Sequence, residues 1–447
     1  MAVFAHRVHK KRSFRFFGGD RERTFLFFMD PYISVRGGNR LHGEIPIGGM
    51  KNAALPILFA TLLVRGTVQI ENVPPVTDVE TTLLILKAMG AVVTRFSPTA
   101  LRINTDAADP SAVPLELTTR LRASSYLLGA GLGRFGRIRT GLPGGCDFGS
   151  RPINWHFRLF SAMGAESCFA AYTVEAVAPK GLHGARVRLD FPSVGATVNG
   201  ILAAATANGR TVIENAAREP HVVDLAVFLN QCGASVSGAG TPRITVDGVT
   251  ALHGCCHRVV PDMIEAGTYL AAMAGVGGRI RLSSVEPRHL DAVLDRLNAM
   301  GVTTECGADS ITAVQTSPLI GTDIETRPYP GFPTDMQPQF APLLCLSASG
   351  GCIFENVWDD RFRYVEELRR MGANVDVRNR CARFRGNDRL IGTEVAATDL
   401  RAGAAMLVAG LCAEGTTVIT RPHHIDRGYP DFVNRLRDLG ADISRTE

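Results

Sequence analysis

Residues 141–152 combine side chains that could do chemistry with a backbone that can approach a ligand closely. The segment reads GLPGGCDFGSRP and holds four glycines and two prolines. Because this composition excludes a regular helix or strand, we expect a loop. Such a loop could bring backbone N–H groups and the Cys146 thiol to a bound molecule, while Arg151 offers a planar fork for a phosphate or carboxylate. A surface turn with an incidental thiol explains the composition equally well.

Other charged residues stand at the starts of predicted helices. Lys51 and Asn52 follow two glycines and a methionine and open an apolar stretch. A lysine is unusual there because the helix dipole opposes it, so the pair predicts an anion site. Arg122 also begins a predicted helix. Asp335 lies in a proline-flanked turn before another helix, where it could be only an N-cap.

Three further arginines lie in turns beside acidic residues, and they add to the possible charged site. Arg361 comes directly after Asp360, and Arg427 comes directly after Asp426. Arg401 is two residues after Asp399. Each of these arginines could bind an anionic substrate or form an ordinary surface ion pair with its neighbour. The residues alone leave both interpretations open.

The composition is that of a globular protein, with 447 residues of which 45% are hydrophobic and 20% charged. Residues 1–28 hold seven basic and two acidic side chains and so carry the whole net charge of +5. The other 419 residues hold 41 of each sign, so we expect no nucleic-acid partner. We interpret residues 1–28 as a disordered arm, a targeting segment or upstream sequence translated by mistake before Met29, and we favour the last.

The sequence also predicts a cytoplasmic location without a membrane partner. It contains no apolar run of about 18 residues. Its ten cysteines are scattered without a C-x-x-C pair, which favours a reducing compartment over a disulfide framework. The histidines form no metal-binding spacing, and we expect neither a metal nor a cofactor.

A sixfold internal repeat organises the elements that must position these residues. A bulky residue, a glycine and then alanine or valine recur at intervals of 68 to 74 residues. The stretch before each glycine predicts a helix with a left-handed glycine cap, and the segment after it predicts a strand. A glycine followed by a β-branched strand precedes each helix. The six signature glycines are Gly90, Gly164, Gly233, Gly301, Gly372 and Gly440.

Alanine-rich stretches between the signatures predict an additional, buried helix. Four of them are apolar on nearly all sides, as a buried helix requires, at residues 52–63, 195–207, 264–276 and 402–412. Each repeat should therefore place a sheet between one inner and one outer helix. Six such units predict an α/β protein of two pseudo-threefold domains with the active site between them.

From Met29 to Glu447 the chain resembles the UDP-N-acetylglucosamine 1-carboxyvinyltransferases, enolpyruvyl transferases of the EPSP synthase superfamily. The matching motifs occur in order along the sequence. They are KNAALP at 51–56, LPGGC at 142–146, GSRP at 149–152, SVGAT at 193–197, ENAAREP at 214–220, FPTDMQ at 332–337, ATDLR at 397–401 and HIDRGY at 424–429.

The resemblance implies two inside-out α/β barrel domains of three repeats each. Residues 51–259 would form the domain that carries the catalytic loop, and residues 29–50 with 260–447 would form the second. The implied substrates are phosphoenolpyruvate and UDP-N-acetylglucosamine, and the implied products are the 3-enolpyruvyl ether and phosphate. This reaction opens peptidoglycan precursor synthesis. The oligomeric state does not follow from the resemblance.

The resemblance also implies a role for each matched residue. Cys146 would be the loop thiol of acid catalysis and the target of an epoxide inhibitor of fosfomycin type, and Asp335 would take the hydroxyl proton. Phosphoenolpyruvate and its phosphate would be held by Lys51, Arg122, Arg151 and Arg427, and the charged site would be completed by Arg361 and Arg401. The sugar nucleotide would be held by Asn52, Pro152, Ser193, Val194, Gly195 and Val357.

Three places depart from the family pattern, namely Met50, Asp147-Phe148 and Asn154-Trp155. The last of these lies in the nucleotide-binding stretch, so transfer to another nucleotide acceptor remains an alternative. A non-catalytic paralogue that binds sugar nucleotides is a second alternative. The Pro-Gly-Gly-Cys loop argues against the shikimate-pathway enzyme, and the neutral body of the chain argues against the related RNA-cyclase fold.

Overall fold

The computed structural model describes residues 30–144, 153–170, 172–387 and 389–446. Residues 1–28 lie outside this part of the chain, and so do residues 145–152 of the predicted loop, which include the site residues Cys146, Arg151 and Pro152. The predictions that concern them remain predictions.

All six signature glycines end an outer helix, as the repeat predicts. Their φ angles lie between +87° and +101°, a region that glycine enters without steric cost. At the first copy, the amide of Ala91 donates to the carbonyl of Leu86 at 2.9 Å, and the other five copies repeat this bond. The outer helices are Thr77–Ala88, Asn154–Ala162, Pro220–Gln231, Asp291–Ala299, Val365–Arg370 and Phe432–Asp438.

Six inner helices are almost wholly buried, three in each half of the described chain. The four predicted from alanine-rich stretches are confirmed, and two more have the same environment. Small residues allow close packing: a Cβ on Gly129 would lie 2.5 Å from the carbonyl oxygen of Asn199 on the next helix. The inner helices are Lys51–Ala60, Tyr126–Phe135, Val194–Ala204, Met263–Val276, Gln337–Leu346 and Leu400–Cys412.

Sheets cover the inner helices, and each of the six predicted signature strands is present. We call residues 51–259 the first block and residues 30–50 with 260–446 the second block. The first block has sheets Cys256–Arg258, Thr67–Glu71, Ala100–Asn104, Val92–Ser97; Arg137–Gly141, Thr173–Val177, Glu166–Ala170; Arg186–Arg188, Arg210–Glu214, Arg243–Asp247, Ser235–Ser237; and the pair Leu252–His253, Val64–Arg65. The second has Glu394–Ala396, Thr416–Thr420, Tyr32–Arg36, Asp442–Arg445; Thr303–Cys306, Ser310–Gln315, Gly278–Ser283, Leu41–Pro46; and Ile324–Glu325, Gly351–Phe354, Cys381–Phe384, Val375–Arg378.

No sheet in the described chain mixes strands from the two blocks. The polypeptide passes between the blocks twice, near residues 50 and 260, and the two crossings lie side by side. Gly49 and Pro261 form an antiparallel bridge, and the amide of Met50 donates to the carbonyl of Val260 at 2.7 Å. Consequently two inner helices, one in each block, begin next to each other.

Short helical segments complete the described chain. They are Thr61–Leu63, Pro110–Ala112, Leu115–Thr119, Arg122–Ser125, Pro287–Leu290 and Pro422–Arg427. Within the residues that the structure describes, no helix has both the length and the apolar character needed to cross a bilayer.

Candidate active site

Five of the predicted site residues lie at or near the N-terminal ends of inner helices. Lys51 is the first residue of its helix, Ser193 is the N-cap of helix Val194–Ala204, and Arg401 is the second residue of helix Leu400–Cys412. Arg122 opens the helical turn that leads into helix Tyr126–Phe135. Asp335 lies two residues before helix Gln337–Leu346. The N-terminal end of a helix carries partial positive charge, which suits anionic ligands.

Asp335 is held between two arginines of the second block. Its Oδ1 accepts a hydrogen bond from Arg361 at 2.7 Å, and its Oδ2 accepts from Nε and a terminal nitrogen of Arg401 at 3.3 and 3.1 Å. Burial favours the protonated carboxyl, but the charges of Arg401 and then Arg361 outweigh it and hold the pKa of Asp335 far below its ordinary value. The side chain is ionised at neutral pH while 29% of it stays exposed to a ligand.

Arg401 is itself fixed by a buried polar network. Another terminal nitrogen donates to the Tyr429 hydroxyl at 3.0 Å, and this hydroxyl also bonds Thr268 at 3.0 Å and Gln339 at 3.1 Å. The guanidinium lies 5.5 Å from the centre of the Tyr429 ring. This network holds the guanidinium of Arg401 in the position from which it bonds Asp335, so little reorganisation is needed.

A second charged cluster joins the two blocks. Lys51 Nζ contacts Asp78 Oδ2 at 3.1 Å, and Arg427 donates to the two oxygens of the same carboxylate at 2.9 and 3.4 Å. Burial raises the pKa of Asp78, but Lys51 and then Arg427 outweigh burial and lower it. Nearby, the Thr77 hydroxyl donates to the carbonyl of Asp426 at 3.3 Å, which is a further contact between the blocks.

Arg122 lies beside the predicted nucleotide residues. It donates to the carbonyl of Pro143, at the base of the predicted loop, at 3.4 Å. The imidazole of His156 lies close to the backbone of Gly195, because a Cβ on that glycine would be 2.8 Å from His156 Nε2. Burial, followed by the charge of Arg122, lowers the pKa of His156 to about 3, so the ring is neutral.

Glu355 holds Val357 near the Asp335 turn. Its Oε1 accepts from the amides of Val357 at 2.8 Å and Trp358 at 3.0 Å, and its Oε2 accepts from the Thr334 hydroxyl at 2.9 Å. Since Thr334 precedes Asp335, this buried glutamate ties the segment that carries Val357 to the segment that carries the candidate base.

Two simpler interpretations of these residues are wrong. Asp335 is not an N-cap, because the cap position of its helix is Met336 and no side chain bonds the cap amides. Arg361, Arg401 and Arg427 bond distant carboxylates instead of forming surface pairs with the acids beside them. Those neighbouring acids have other partners: Asp360 pairs with Arg363, Asp399 caps the helix of Arg401, and Asp426 pairs with Arg445.

Three residues of the site, Asp78, His156 and Glu355, carry no distinctive signal in the sequence. Asp78 occupies the first turn of an outer helix, where an acid is ordinary, so its type and position gave no signal. His156 follows two residues that were noted only as departures from a pattern. Glu355 ends one of the six signature strands, and that pattern indicates a strand and carries no signal for a site residue.

Comparison with known proteins gives a consistent result over nearly the whole chain. The family model described as EPSP synthase (3-phosphoshikimate 1-carboxyvinyltransferase) matches residues 35–436. A protein of Clostridium botulinum named UDP-N-acetylglucosamine 1-carboxyvinyltransferase is 46% identical over 92% of this chain and 99% of its own. A protein of Halorhodospira halophila with the same name is 45% identical over 92% of this chain and 99% of its own.

Solved structures agree on the fold. The enolpyruvyl transferase NikO from Streptomyces tendae superposes with a TM-score of 0.85 at 28% identity, covering 93% of this chain and 99% of that one. An EPSP synthase from Acinetobacter baumannii superposes with a TM-score of 0.69 at 17% identity, covering 93% of this chain and 100% of that one, and shows the fold alone. The chain therefore belongs to the EPSP synthase family and, within it, to the group of the UDP-N-acetylglucosamine 1-carboxyvinyltransferases.

Proposed function

We propose that the protein transfers the enolpyruvyl group of phosphoenolpyruvate to the 3-hydroxyl of UDP-N-acetylglucosamine and releases phosphate. This reaction supplies the first committed precursor of peptidoglycan. The name borne by relatives at 45 and 46% identity supports the proposal at the level of substrates. The observation that carries it in the structure is the pair of carboxylates, Asp335 and Asp78, each bound by two cations of which one, Arg401 or Lys51, lies at the start of an inner helix.

The cations suit two anionic substrates. Phosphoenolpyruvate carries a phosphate and a carboxylate, and arginine forks pair with both groups. Lys51 and Arg427 share the carboxylate of Asp78, so a phosphate could take up the same donors. With Arg122, and with Arg151 from the loop, they would form the cradle in which charge on the leaving phosphate is stabilised.

Asp335 would receive the proton of the sugar hydroxyl. A carboxylate with a strongly lowered pKa is a weak base, so it cannot deprotonate an ordinary alcohol unaided. The hydroxyl becomes acidic once carbon 3 of phosphoenolpyruvate is protonated and carbon 2 carries positive charge. As the hydroxyl oxygen bonds to carbon 2, its proton passes to Asp335. Phosphate then leaves from the tetrahedral intermediate as carbon 3 gives up a proton, and the enol ether results.

The loop at 141–152 would complete the site. We assign Cys146 to acid catalysis at carbon 3, and closure of the loop over both substrates would exclude water. The contact of Arg122 with the Pro143 carbonyl supports this assignment, because it places the base of the loop beside the cradle.

The neutral site residues would hold the sugar nucleotide. These are Asn52, Pro152, Ser193, Val194, Gly195 and Val357. Gly195 has no side chain, so the sugar nucleotide could approach its backbone closely. The ring of His156 beside it is neutral and adds no charge there. The fold proposal accompanies this assignment: two inside-out α/β domains, 51–259 and 29–50 with 260–447, enclose the cleft. Separation of the described sheets between the blocks supports these boundaries.

Phosphate release tests the proposal. The full-length protein is supplied with phosphoenolpyruvate and either UDP-N-acetylglucosamine or shikimate 3-phosphate. We expect release only with the sugar nucleotide, together with a product heavier by one enolpyruvyl group. Release with shikimate 3-phosphate alone would overturn the assigned acceptor. Release with neither, from folded protein that binds the sugar nucleotide, would favour a binding paralogue or a different nucleotide acceptor.

A further inference from the structure

Two cysteines away from the proposed active site touch each other in the first block. The Sγ atoms of Cys232 and Cys255 are 3.2 Å apart. Cys232 follows the last residue of outer helix Pro220–Gln231 and is fully buried, whereas Cys255 is partly exposed. Peroxide-sized molecules can therefore reach one member of the pair while the other is shielded.

Hydrogen bonds hold the two segments together on both sides of the sulfur atoms. The amide of His253 donates to the carbonyl of Cys232 at 2.9 Å. His257 Nδ1 lies 2.8 Å from Gln231 Oε1, and its Nε2 lies 3.1 Å from Asp224 Oδ1. Because a disulfide bond is about 2.05 Å long, the sulfur atoms need to approach by only about 1 Å, and the segments are already in place.

We propose that Cys232 and Cys255 are a reversible oxidation site that closes to an intramolecular disulfide when the protein meets a peroxide. The Cys255 thiolate attacks one peroxide oxygen, the O–O bond breaks, and the hydroxide that leaves becomes water. Cys255 is then a sulfenic acid. The Cys232 sulfur attacks the Cys255 sulfur, the S–O bond breaks, and the thiol proton leaves with hydroxide as a second water. Both sulfurs are oxidised and the peroxide oxygens are reduced.

The surroundings distinguish Cys255 from its neighbour Cys256. The contact with Cys232 lowers the pKa of Cys255, because a thiolate is stabilised by the S–H group beside it. Desolvation and then repulsion by Glu71 raise the pKa of Cys256, whose Sγ lies 3.8 Å from the Glu71 carboxylate. Cys256 is the more exposed residue, yet Cys255 is the better nucleophile and has a partner within reach.

The bond would fasten the end of an outer helix to the segment that enters a crossing between the blocks. That segment runs from Cys255 to Val260, and Val260 accepts the Met50 amide at the crossing. In a reducing compartment the pair stays a dithiol, and thiol exchange would reopen the bond after oxidation. The site involves neither Cys146 nor the charged clusters, so it is independent of the proposed function.

Peptide mapping tests the proposal. The full chain is treated with hydrogen peroxide, the remaining thiols are blocked with N-ethylmaleimide, and the protein is digested with trypsin without reduction. The cleavage sites separate the two cysteines, because Cys232 lies in peptide 219–243 and Cys255 in peptide 244–258. We expect these peptides to appear linked, with the loss of two hydrogen atoms, and to separate on treatment with dithiothreitol.

Serine variants assign the bond. We expect Cys255→Ser to abolish the linked peptide and the matched control Cys256→Ser to retain it. Cys232→Ala should abolish it as well, and if that variant fails to fold, Cys255→Ser alone decides the point. A linked peptide that persists in Cys255→Ser would overturn the proposal. Recovery of both peptides unlinked after peroxide treatment, with Cys255 alkylated or over-oxidised, would overturn it too.

Discussion

The two charged clusters solve the same electrostatic problem in different places. Asp335 and both of its arginines belong to the second block, so this cluster forms whenever that block folds. Asp78 is bound by Lys51 of the first block and Arg427 of the second, so its cluster forms only when the blocks meet. The cluster around Asp335 is thus complete within one block. The cluster around Asp78 depends on contact between the two blocks.

A third buried acid shows why each cluster contains two cations. Glu265, on inner helix Met263–Val276, pairs with Arg435 alone and accepts from the amide of Gly48 at 3.1 Å. Burial raises the pKa of Glu265 to about 7 despite the opposing charge of Arg435. For Asp335 and Asp78, two cations reverse the effect of burial. At Glu265, repulsion by Asp262 adds to the effect of burial, so its pKa reflects a neighbouring acid as well as the single cation.

The largest effect should follow Asp335→Asn. The amide keeps the shape of the side chain but can neither take the hydroxyl proton nor neutralise two arginines. We expect kcat for phosphate release to fall by about 10²- to 10⁴-fold. Asp360→Asn is the matched control, because Asp360 forms an exposed pair with Arg363 in the same region. Turnover of Asp335→Asn within a few-fold of wild type, from folded protein, would remove this residue from the mechanism.

Asp78→Asn should act on stability and on the contact between the blocks. It removes the charge of the carboxylate that Lys51 and Arg427 share, which should lower the free energy of unfolding by about 4 kcal/mol. Hydrogen exchange should rise in segment Pro422–Arg427. Urea denaturation and exchange mass spectrometry measure the two effects, with Asp247→Asn, in an exposed pair with Arg210, as the control. Unchanged exchange in that segment would mean that the cluster does not couple the blocks.

The scaffold was predictable from the sequence because its determinants are local. A few consecutive residues are enough to indicate a helix that ends in a glycine of positive φ. Six copies of this pattern strengthen the prediction. Four of the six inner helices were predicted because their sequences are apolar on nearly all sides. Helix Gln337–Leu346 escaped this criterion because it contains prolines and glutamines, although its Gln337 and Gln339 are fully buried. Tertiary hydrogen bonds engage both polar ends of Gln337 and the NH₂ group of Gln339, and the pattern cannot show that.

The charged site was predictable only in part because its pairings are distant along the chain. Lys51, Arg401 and Arg427 were identifiable as misplaced charges or through resemblance. Asp335, the partner of Arg401, was identifiable through the resemblance as well, but Asp78, the partner of Lys51 and Arg427, was not, since Asp78 and Arg427 are 349 residues apart. An acid in the first turn of a surface helix is ordinary in every chain. Only the folded structure shows that its helix faces the other block.

The pH dependence of stability should separate acids with one cation from acids with two. Between about pH 4.5 and 7 the folded state holds a proton on Glu265 that the unfolded chain has lost, so this residue makes stability fall as pH rises. Asp78 and Asp335 act in the opposite direction: their contribution is complete above about pH 4 and is lost as pH falls through their lowered folded-state pKa values.

Glu265→Gln should therefore gain stability relative to wild type as pH rises through that window. We expect a relative gain on the order of 2 kcal/mol between pH 4.5 and 7, measured by urea denaturation at a series of pH values. Glu305→Gln, on an exposed strand of the same block, is the control and should show no such trend. A flat difference between Glu265→Gln and wild type would mean that one arginine is enough to keep a buried carboxylate ionised here.

The smallest effect should come from an inner-helix end that uses no ion pair. Ser193 caps helix Val194–Ala204 through its hydroxyl, which accepts from the amide of Ala196 at 3.3 Å. Ser193→Ala should cost about 1 kcal/mol of stability, measured by urea denaturation, because one amide of the first turn loses its partner. Ser237→Ala, on an exposed strand of the same block, is the control. A loss as large as that of Asp78→Asn would mean that helix ends, rather than paired charges, dominate the stability of this site.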